Sequence, residues 1–367
     1  MNVVRDARVY RVAAIEGDGI GKETTPVGVA VIDAVAKKHD FTVDWHHFDW
    51  GSDRYHTTGA MMPDDGVEQL KAFDAIFFGA VGDPAIPDTV TLWGLLIPLR
   101  RGLNLSVNVR PARTFDGVPG PLRSDLPVDL VIVRENVEGE YSSVGGRAFE
   151  GTPREMAVQE AIFTREGVSR AAEYACRLAS RRSGRLTSAT KSNGIVHTMP
   201  FWDEVVADVA AAHQGVQLTS VLVDALAAAL VGRPHDFDVI VASNLLGDIL
   251  SDLTAALVGS IGLAASANID PDSGGVGLFE PVHGSAPDIA GRGLANPIAQ
   301  VLAGSMLLDH LGEHDAAADV EAAVRHVLAA GPRTRDIGGQ GSTSDVAEAL
   351  LEHIGRSAAH AGEAAHD

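Results

Sequence analysis

Short apolar runs alternate with longer segments of helical periodicity along most of the chain. Tyr10–Ile15 is a compact apolar strand closed by Glu16-Gly17-Asp18-Gly19-Ile20-Gly21, and the pattern from Lys22 to Lys38 predicts a helix. Phe41–Phe48 predicts a second strand and Asp74–Phe78 a third, which runs into Gly79-Ala80-Val81-Gly82. Further strands are predicted at Leu130–Val133, Arg185–Ala189, Gln217–Val223 and Val239–Ala242, each bounded by polar or turn residues. Helices are predicted over Arg165–Ser180, Phe201–Ala212, Leu245–Val258, Ile298–Leu311 and Thr343–Ile354. The alanine-rich stretches Ala225–Leu230 and Asp315–Ala323 also read as helix. The residues after Gly355 are small and polar and read as a frayed tail. Strand, glycine loop, helix and strand in succession is the rhythm of an α/β protein with parallel strands. No internal repeat or long linker interrupts it, so a second domain must be inserted within the first rather than strung after it.

Composition narrows the function. A chain of 367 residues exceeds one simple core, and 46% hydrophobic with 21% charged residues is a globular balance. The net charge of −20 argues against nucleic acid and anionic membrane surfaces as partners. It also repels an anionic substrate, so any site for one must gather its cations locally. The single cysteine, Cys176, leaves no intramolecular disulfide and no cysteine metal site. Met1–Val12 has no signal-peptide apolar core, and no apolar run reaches the roughly 18 residues that span a bilayer. The expected location is cytoplasmic.

Arginines do gather locally: Arg100, Arg101, Arg110, Arg113, Arg123 and Arg134 lie close together in sequence. Arg110 sits in Asn108-Val109-Arg110-Pro111, and Arg134 ends the predicted strand Leu130–Val133, where it can face a cleft. The planar guanidinium fork suits paired carboxylates, although ordinary surface ion pairs give the same count. Asp248 and Asp252 are four apart and share one face of a helix that is otherwise largely apolar. Like charges at that spacing cost about 0.2–0.5 kcal/mol, a sign that a bound cation would reverse. Oxygen donors without His or Cys point to Mg²⁺ or Mn²⁺; the bland alternative is that both carboxylates complement the helix dipole.

Asp224 follows the apolar run Val221–Val223, Lys191 lies beyond another predicted strand, and Tyr141 sits in Glu138-Gly139-Glu140-Tyr141-Ser142. The stretch Phe279–Gly291, followed by Ala295-Asn296-Pro297, is loop-like, with small residues that let a flat ligand approach the backbone. Asn296-Pro297 resembles a helix N-cap with proline in the first turn. Gly17–Gly21 lacks the GxGxxG spacing, and no acidic residue follows a second strand in the usual place. A Rossmann fold is therefore not expected, and the loop is as readily a tight turn as a ligand cradle.

Together these blocks resemble the β-decarboxylating dehydrogenases, the family of isocitrate, 3-isopropylmalate, tartrate and D-malate dehydrogenases. The resemblance runs from about Val12 to Ile354 through GDGIG (17–21), NVRP (108–111), VREN-EGEYS (133–142), TKSN (190–193), GDILSDL (247–253) and FEPVHGSAPDIAG–ANP (279–297). It implies an α/β, isopropylmalate dehydrogenase-like two-domain fold with a twisted mixed sheet. A discontinuous large domain (1–108 and 262–367) would hold the cofactor, and an inserted small domain (109–261) the metal and the dimer interface. By the same resemblance Arg100, Arg110 and Arg134 clamp the substrate carboxylates. Asp248 and Asp252 would bind Mg²⁺ or Mn²⁺ together with Asp224 of a partner chain, and K⁺ is a further candidate ion. His283, Gly284, Ser285, Ala286, Asp288 and Asn296 would hold NAD, with Asp288 on the adenosine ribose. Lys191, from the partner chain, would take the hydroxyl proton as hydride leaves C2, and Tyr141 would return a proton at C3 after CO₂ departs. The resemblance thus implies a homodimer with shared active sites acting on a small dicarboxylate.

Thr91–Ile97 corresponds to the segment that selects the substrate in this family. The isocitrate branch carries Ser-Asn there, and the isopropylmalate branch has Glu where Trp93 stands; this chain has neither. Its Leu-Trp-Gly pattern, with FDWGSD (48–53) and ASANIDP (265–271), is closest to the tartrate/D-malate branch. The expected reaction is D-malate to pyruvate and CO₂, with tartrate as another substrate. Leu96 and Ile97 keep alkylmalates open, and 3-isopropylmalate dehydrogenase is the alternative. A non-catalytic regulatory subunit would be expected to lack a metal or proton-transfer residue, whereas Tyr141, Lys191, Asp224, Asp248 and Asp252 are all present. Two departures stand out: Lys22 where proline is usual after GDGIG, and the apolar run Ala225–Leu230 after Asp224.

Overall fold

The computed structural model describes residues 8–122 and 126–364, so Arg123, the first seven residues and the last three lie outside the described residues. Among the described residues there are twelve strands. The first five are β1 (Arg8–Gly17), β2 (Phe41–Phe48), β3 (Ala75–Ala80), β4 (Val107–Arg113) and β5 (Asp129–Glu135). Then come β6 (Gly145–Ala148) and β7 (Met156–Gln159), which pair only with each other, β8 (Arg185–Thr190), β9 (Gln217–Leu222) and β10 (Val239–Ala242). The last two are β11 (Ala265–Ile269) and β12 (Gly277–Pro281). Ten of them form one mixed sheet in the order β2-β1-β3-β12-β11-β4-β5-β10-β8-β9. The two wings are parallel, and the middle, β12-β11-β4-β5, is antiparallel. This is the mixed α/β sheet that the family resemblance implied, where the strand–helix rhythm alone predicted parallel strands, and its order is not the Rossmann one.

The parallel wings follow directly from their residues. β3 and β10 are buried along their whole length, as strands covered on both faces must be, and so read as continuous apolar runs. The strand Phe41–Phe48 and the helix Arg165–Ser180 fall where the periodicity puts them. Three differences concern the rest. β4 was not anticipated because Asn108, Arg110, Pro111 and Arg113 interrupt its apolar residues, yet Asn108 and Arg110 are buried. Phe279-Glu280-Pro281 is strand, so the loop of that block starts only at Val282. The final helix runs from Thr343 to Ala364, through the stretch expected to fray.

The Gly17–Gly21 loop is a packing junction. Gly17 and Gly19 have φ of +66° and +53°, and an added Cβ would lie 1.9 Å from the Ala80 carbonyl oxygen and 2.0 Å from that of Ser285. Between them the buried Asp18 accepts hydrogen bonds from the amides of Ser52 (2.7 Å) and Gly82 (2.8 Å). The loop thereby locks the end of β3 against the segment that follows β12. Among the described residues no helix is long and apolar enough to cross a membrane.

Candidate active site

The antiparallel middle of the sheet has period-two alternation, and this aims one polar residue from each of three strands into a cavity of about 210 Å³. Arg110 from β4, Arg134 from β5 and Glu280 from β12 line it, while Val109, Val131 and Phe279 from the same strands face a separate cavity. The helix Asn244–Leu257 contributes Asn244 and Asp248, and the loop after β5 contributes Asn136 and Tyr141. Further wall comes from the end of β3, from Leu92–Leu96, a π-helical turn, and from the helix Ile97–Gly102 behind it. Such widened turns recur at functional sites.

Asp248 is the hub. Its Oδ1 accepts from Arg134 and, at 3.1 Å, from Arg110, and its Oδ2 accepts from the Tyr141 hydroxyl at 2.8 Å. Burial alone would raise this carboxyl, but the charges of Arg134 and Arg110 outweigh it and hold Asp248 below its ordinary range. Tyr141 moves the other way: burial and then the Asp248 charge push its hydroxyl up, so it stays protonated. Burial, followed by repulsion from Arg110, lowers the Arg134 guanidinium to about 9. Both arginines are oriented by neutral groups. Asn108 Oδ1 (2.6 Å) and Ser251 Oγ (2.7 Å) hold Arg110, and Asn244 Oδ1 accepts from Arg134 Nη2 at 2.7 Å. Arg100 pairs with Glu280 at 2.8 Å, both buried. Asp252, one turn beyond Asp248, has a loose 3.9 Å contact to Arg110, and burial raises its carboxyl.

Several sequence candidates fall elsewhere. Arg113 pairs with Asp129 and Glu321 and does not line the cavity. Lys191 and Asp224 also lie off the cavity, paired with each other at 2.7 Å and partly exposed. The block after β12 divides. His283 and Gly284 line the cavity, and Ser285 is clamped by the Ile20 amide onto its carbonyl (2.8 Å). His283 is buried, its Nε2 has no partner among the described residues, and burial lowers its pKa, so the ring is neutral. Ala286 adopts φ +41°, and the Asp288 side chain is exposed on the same loop. Asn296 Oδ1 accepts from the Ile298 amide at 3.1 Å, just ahead of the Pro297 N-cap of the helix Ile298–His310, while its Nδ2 donates to Asp336.

The profile of the isocitrate/isopropylmalate dehydrogenase family matches residues 11–350. The chain belongs to this family. A probable tartrate dehydrogenase/decarboxylase of Bacillus subtilis is 49% identical over 347 residues, covering 94% of this chain and 98% of that protein. The D-malate dehydrogenase (decarboxylating) of Escherichia coli is 49% identical over 357 residues, covering 95% and 99%. The crystal structure of isocitrate dehydrogenase from Methylococcus capsulatus superposes with a TM-score of 0.85 at 36% identity, covering 94% of this chain and 99% of that one. Enzymes of the isocitrate/isopropylmalate dehydrogenase family use NAD(P) and a divalent metal.

The residues present fit both groups. Asp248 and Asp252 offer hard oxygen donors one helical turn apart on one helix face, the donor type that Mg²⁺ or Mn²⁺ takes. The unpartnered His283 Nε2 and the open Gly284 backbone give a flat ligand a polar contact and close approach. Among the described residues no cluster of three His, Cys, Asp or Glu side chains is placed to hold a metal within one chain.

Sequence reasoning missed the orienting groups Asn108, Asn244, Ser251 and Glu280. A signal existed for some of them: Asn244, Asp248, Ser251 and Asp252 follow the three- and four-residue spacing of one helix face.

Proposed function

We propose that this chain is a metal- and NAD-dependent dehydrogenase that oxidises D-malate at C2 and decarboxylates it to pyruvate and CO₂, with tartrate as a second substrate. The observation that carries this reading is the charge of the cavity wall. Four arginines (100, 101, 110 and 134) face two carboxylates (Asp248 and Glu280), leaving two positive charges in a protein of net −20, the match for a dicarboxylate dianion. The names of the B. subtilis and E. coli relatives agree with it. The segment Leu92–Ile97 lines the cavity with Leu92, Leu96 and Ile97 and itself offers no polar side chain to the third carboxylate of isocitrate. That apolar surface also favours a second reading, an alkylmalate such as 3-isopropylmalate.

Asp248 and Asp252 would hold Mg²⁺ or Mn²⁺, with K⁺ a further candidate ion, and His283 to Asn296 would hold NAD. The chemistry these groups supply when bound is Lewis acidity at the substrate oxygens and acceptance of hydride. The protein's own residues bind, orient and move protons. Arg100, Arg110 and Arg134 fix the carboxylates, with Arg110 and Arg134 exchanging Asp248 for the substrate. Tyr141, kept protonated by its surroundings, delivers a proton to C3 after CO₂ departs. Lys191 accepts the C2 hydroxyl proton. The exposed Asp288 carboxylate suits ribose hydroxyls and repels a 2′-phosphate, which favours NAD⁺ over NADP⁺.

Lys191 and Asp224 stand apart from Tyr141 within one chain, so the reading includes a homodimer in which they complete the partner's site. Exposed apolar side chains support such an interface. Ile249 (57%) and Val231 (53%) project from two helices, and Met156 (50%) from the β6–β7 hairpin. The same reading divides the chain into a cofactor lobe (1–108 and 262–367) and an inserted lobe (109–261), meeting at β4 in the antiparallel middle of the sheet. The test is turnover of D-malate, tartrate, 3-isopropylmalate and isocitrate with NAD⁺ or NADP⁺ and Mn²⁺. The expected order has D-malate or tartrate above isocitrate by at least about 2–3 kcal/mol of transition-state binding. Comparable efficiency on isocitrate, or a preference for NADP⁺, would refute the assignment.

A further inference from the structure

Three of the four arginines in the cavity are already matched to carboxylates: Arg100 to Glu280, and Arg110 and Arg134 to Asp248. Arg101 is not. Among the described residues its one hydrogen bond runs from Nη2 to the Tyr141 carbonyl oxygen, at 2.6 Å. Its guanidinium carbon lies 5.1 Å from the centre of the Trp93 ring, within cation–π range. Trp93 occupies the π-helical turn Leu92–Leu96, and Leu92 and Leu96 line the cavity beside Arg101. One charged side chain thus joins the wall presented by Leu92–Leu96 to the segment carrying Tyr141, with hydrogen-bond donors to spare.

A partly buried guanidinium held in place by a ring cannot swing away to suit any ligand. A substrate with hydrogen at C3 leaves room for water to satisfy its free donors. A C3 hydroxyl can accept from them directly. A C3 alkyl group would displace that water and leave the donors unpaired, which is the stronger form of discrimination available to a binding site. Resting on the functional reading above, we propose that Arg101, fixed by Trp93 and the Tyr141 carbonyl, is a specificity-determining residue that admits hydrogen or hydroxyl at C3 of a 2-hydroxydicarboxylate and rejects an alkyl group there.

The test compares wild-type enzyme with Arg101→Met, which keeps an apolar stem of similar length but no donors, and with Arg101→Lys, which keeps the charge without the fork. kcat/KM is measured for D-malate, tartrate and 3-isopropylmalate. Loss of the Tyr141 contact lowers all three together, so the ratios carry the answer. In Arg101→Met the tartrate-to-D-malate ratio should fall about tenfold, and the isopropylmalate-to-D-malate ratio should rise about tenfold. Arg101→Lys should shift both ratios in the same directions by less, and it serves alone if the Met variant does not fold. Wild-type turnover of D-malate or tartrate with variant ratios unchanged within about twofold would overturn the assignment while leaving the functional reading intact. Wild-type enzyme inactive on both substrates would overturn the functional reading itself.

Discussion

Two carboxylate–cation groups lie in this molecule under opposite conditions. Asp248 is embedded among Arg134, Arg110 and Tyr141, and its two arginines are buried. Asp224 pairs with Lys191 at the surface and leaves two-thirds of its side chain exposed. Both groups belong to the same expected chemistry, yet only the first is built into the fold. Removing a partner from a buried pair strands a charge without water, whereas an exposed pair dissolves into solvent at little cost. The first group should therefore couple catalysis to stability, and the second should not.

The largest effect is expected for Asp248→Asn. It removes a proposed metal donor and leaves Arg134 and Arg110 without their counter-charge. Activity should fall at least about 1000-fold and stability by about 3 kcal/mol, measured by turnover and by denaturant unfolding. An unchanged unfolding midpoint would break the comparison from the buried side. Lys191→Ala should lose activity about 100-fold or more while its Tm stays within about 2 °C of wild type. A large fall in Tm would show that the exposed pair is structural after all. Chelation sharpens both cases: exhaustive removal of divalent cations should abolish turnover, Mn²⁺ should restore it, and full activity after chelation would remove the metal role from Asp248 and Asp252.

The smallest effect concerns Glu135, next to Arg134 in β5. Its Oε1 accepts from the amides of Val137 (2.8 Å) and Glu138 (2.9 Å), its Oε2 has no partner among the described residues, and burial raises its carboxyl to about 7. The folded protein therefore holds a proton that the unfolded chain releases near its ordinary carboxylate value. This contribution is fully present below about pH 4.5 and is lost as pH rises through 7. Glu135→Gln should flatten that slope, stabilising the protein at pH 8 relative to wild type by at most about 3 kcal/mol. Parallel stability–pH curves for the two proteins would remove Glu135 as the cause.

Legibility from sequence follows the same division. The parallel wings could be read because their strands are uniformly apolar and their helices strongly periodic. β4 could not, because the polar residues that make the site, Asn108 and Arg110, break the apolar pattern of the strand that carries them. The residues Arg100, Arg110, Arg134, Tyr141 and Asp248 were identifiable from their motifs, and they converge on one cavity. Glu280 and Asn244 were not, because their task is to satisfy buried arginines, a requirement visible only once the chain is folded. Arg101 resembled Arg100 in sequence; only the Trp93 stack and the missing carboxylate separate them.

The contrast between the buried and the exposed group has a simple source if Lys191 and Asp224 face solvent in one chain because they belong to the site of another. Complementation between Lys191→Ala and Tyr141→Phe tests this most directly. Each variant alone should be nearly inactive. In a mixed dimer one site receives both lesions and the other neither, so an equal, randomly assorted mixture made by co-expression should recover about a quarter of wild-type activity. Activity no higher than the mean of the two parents, with mixed dimers demonstrated, would contradict the shared site.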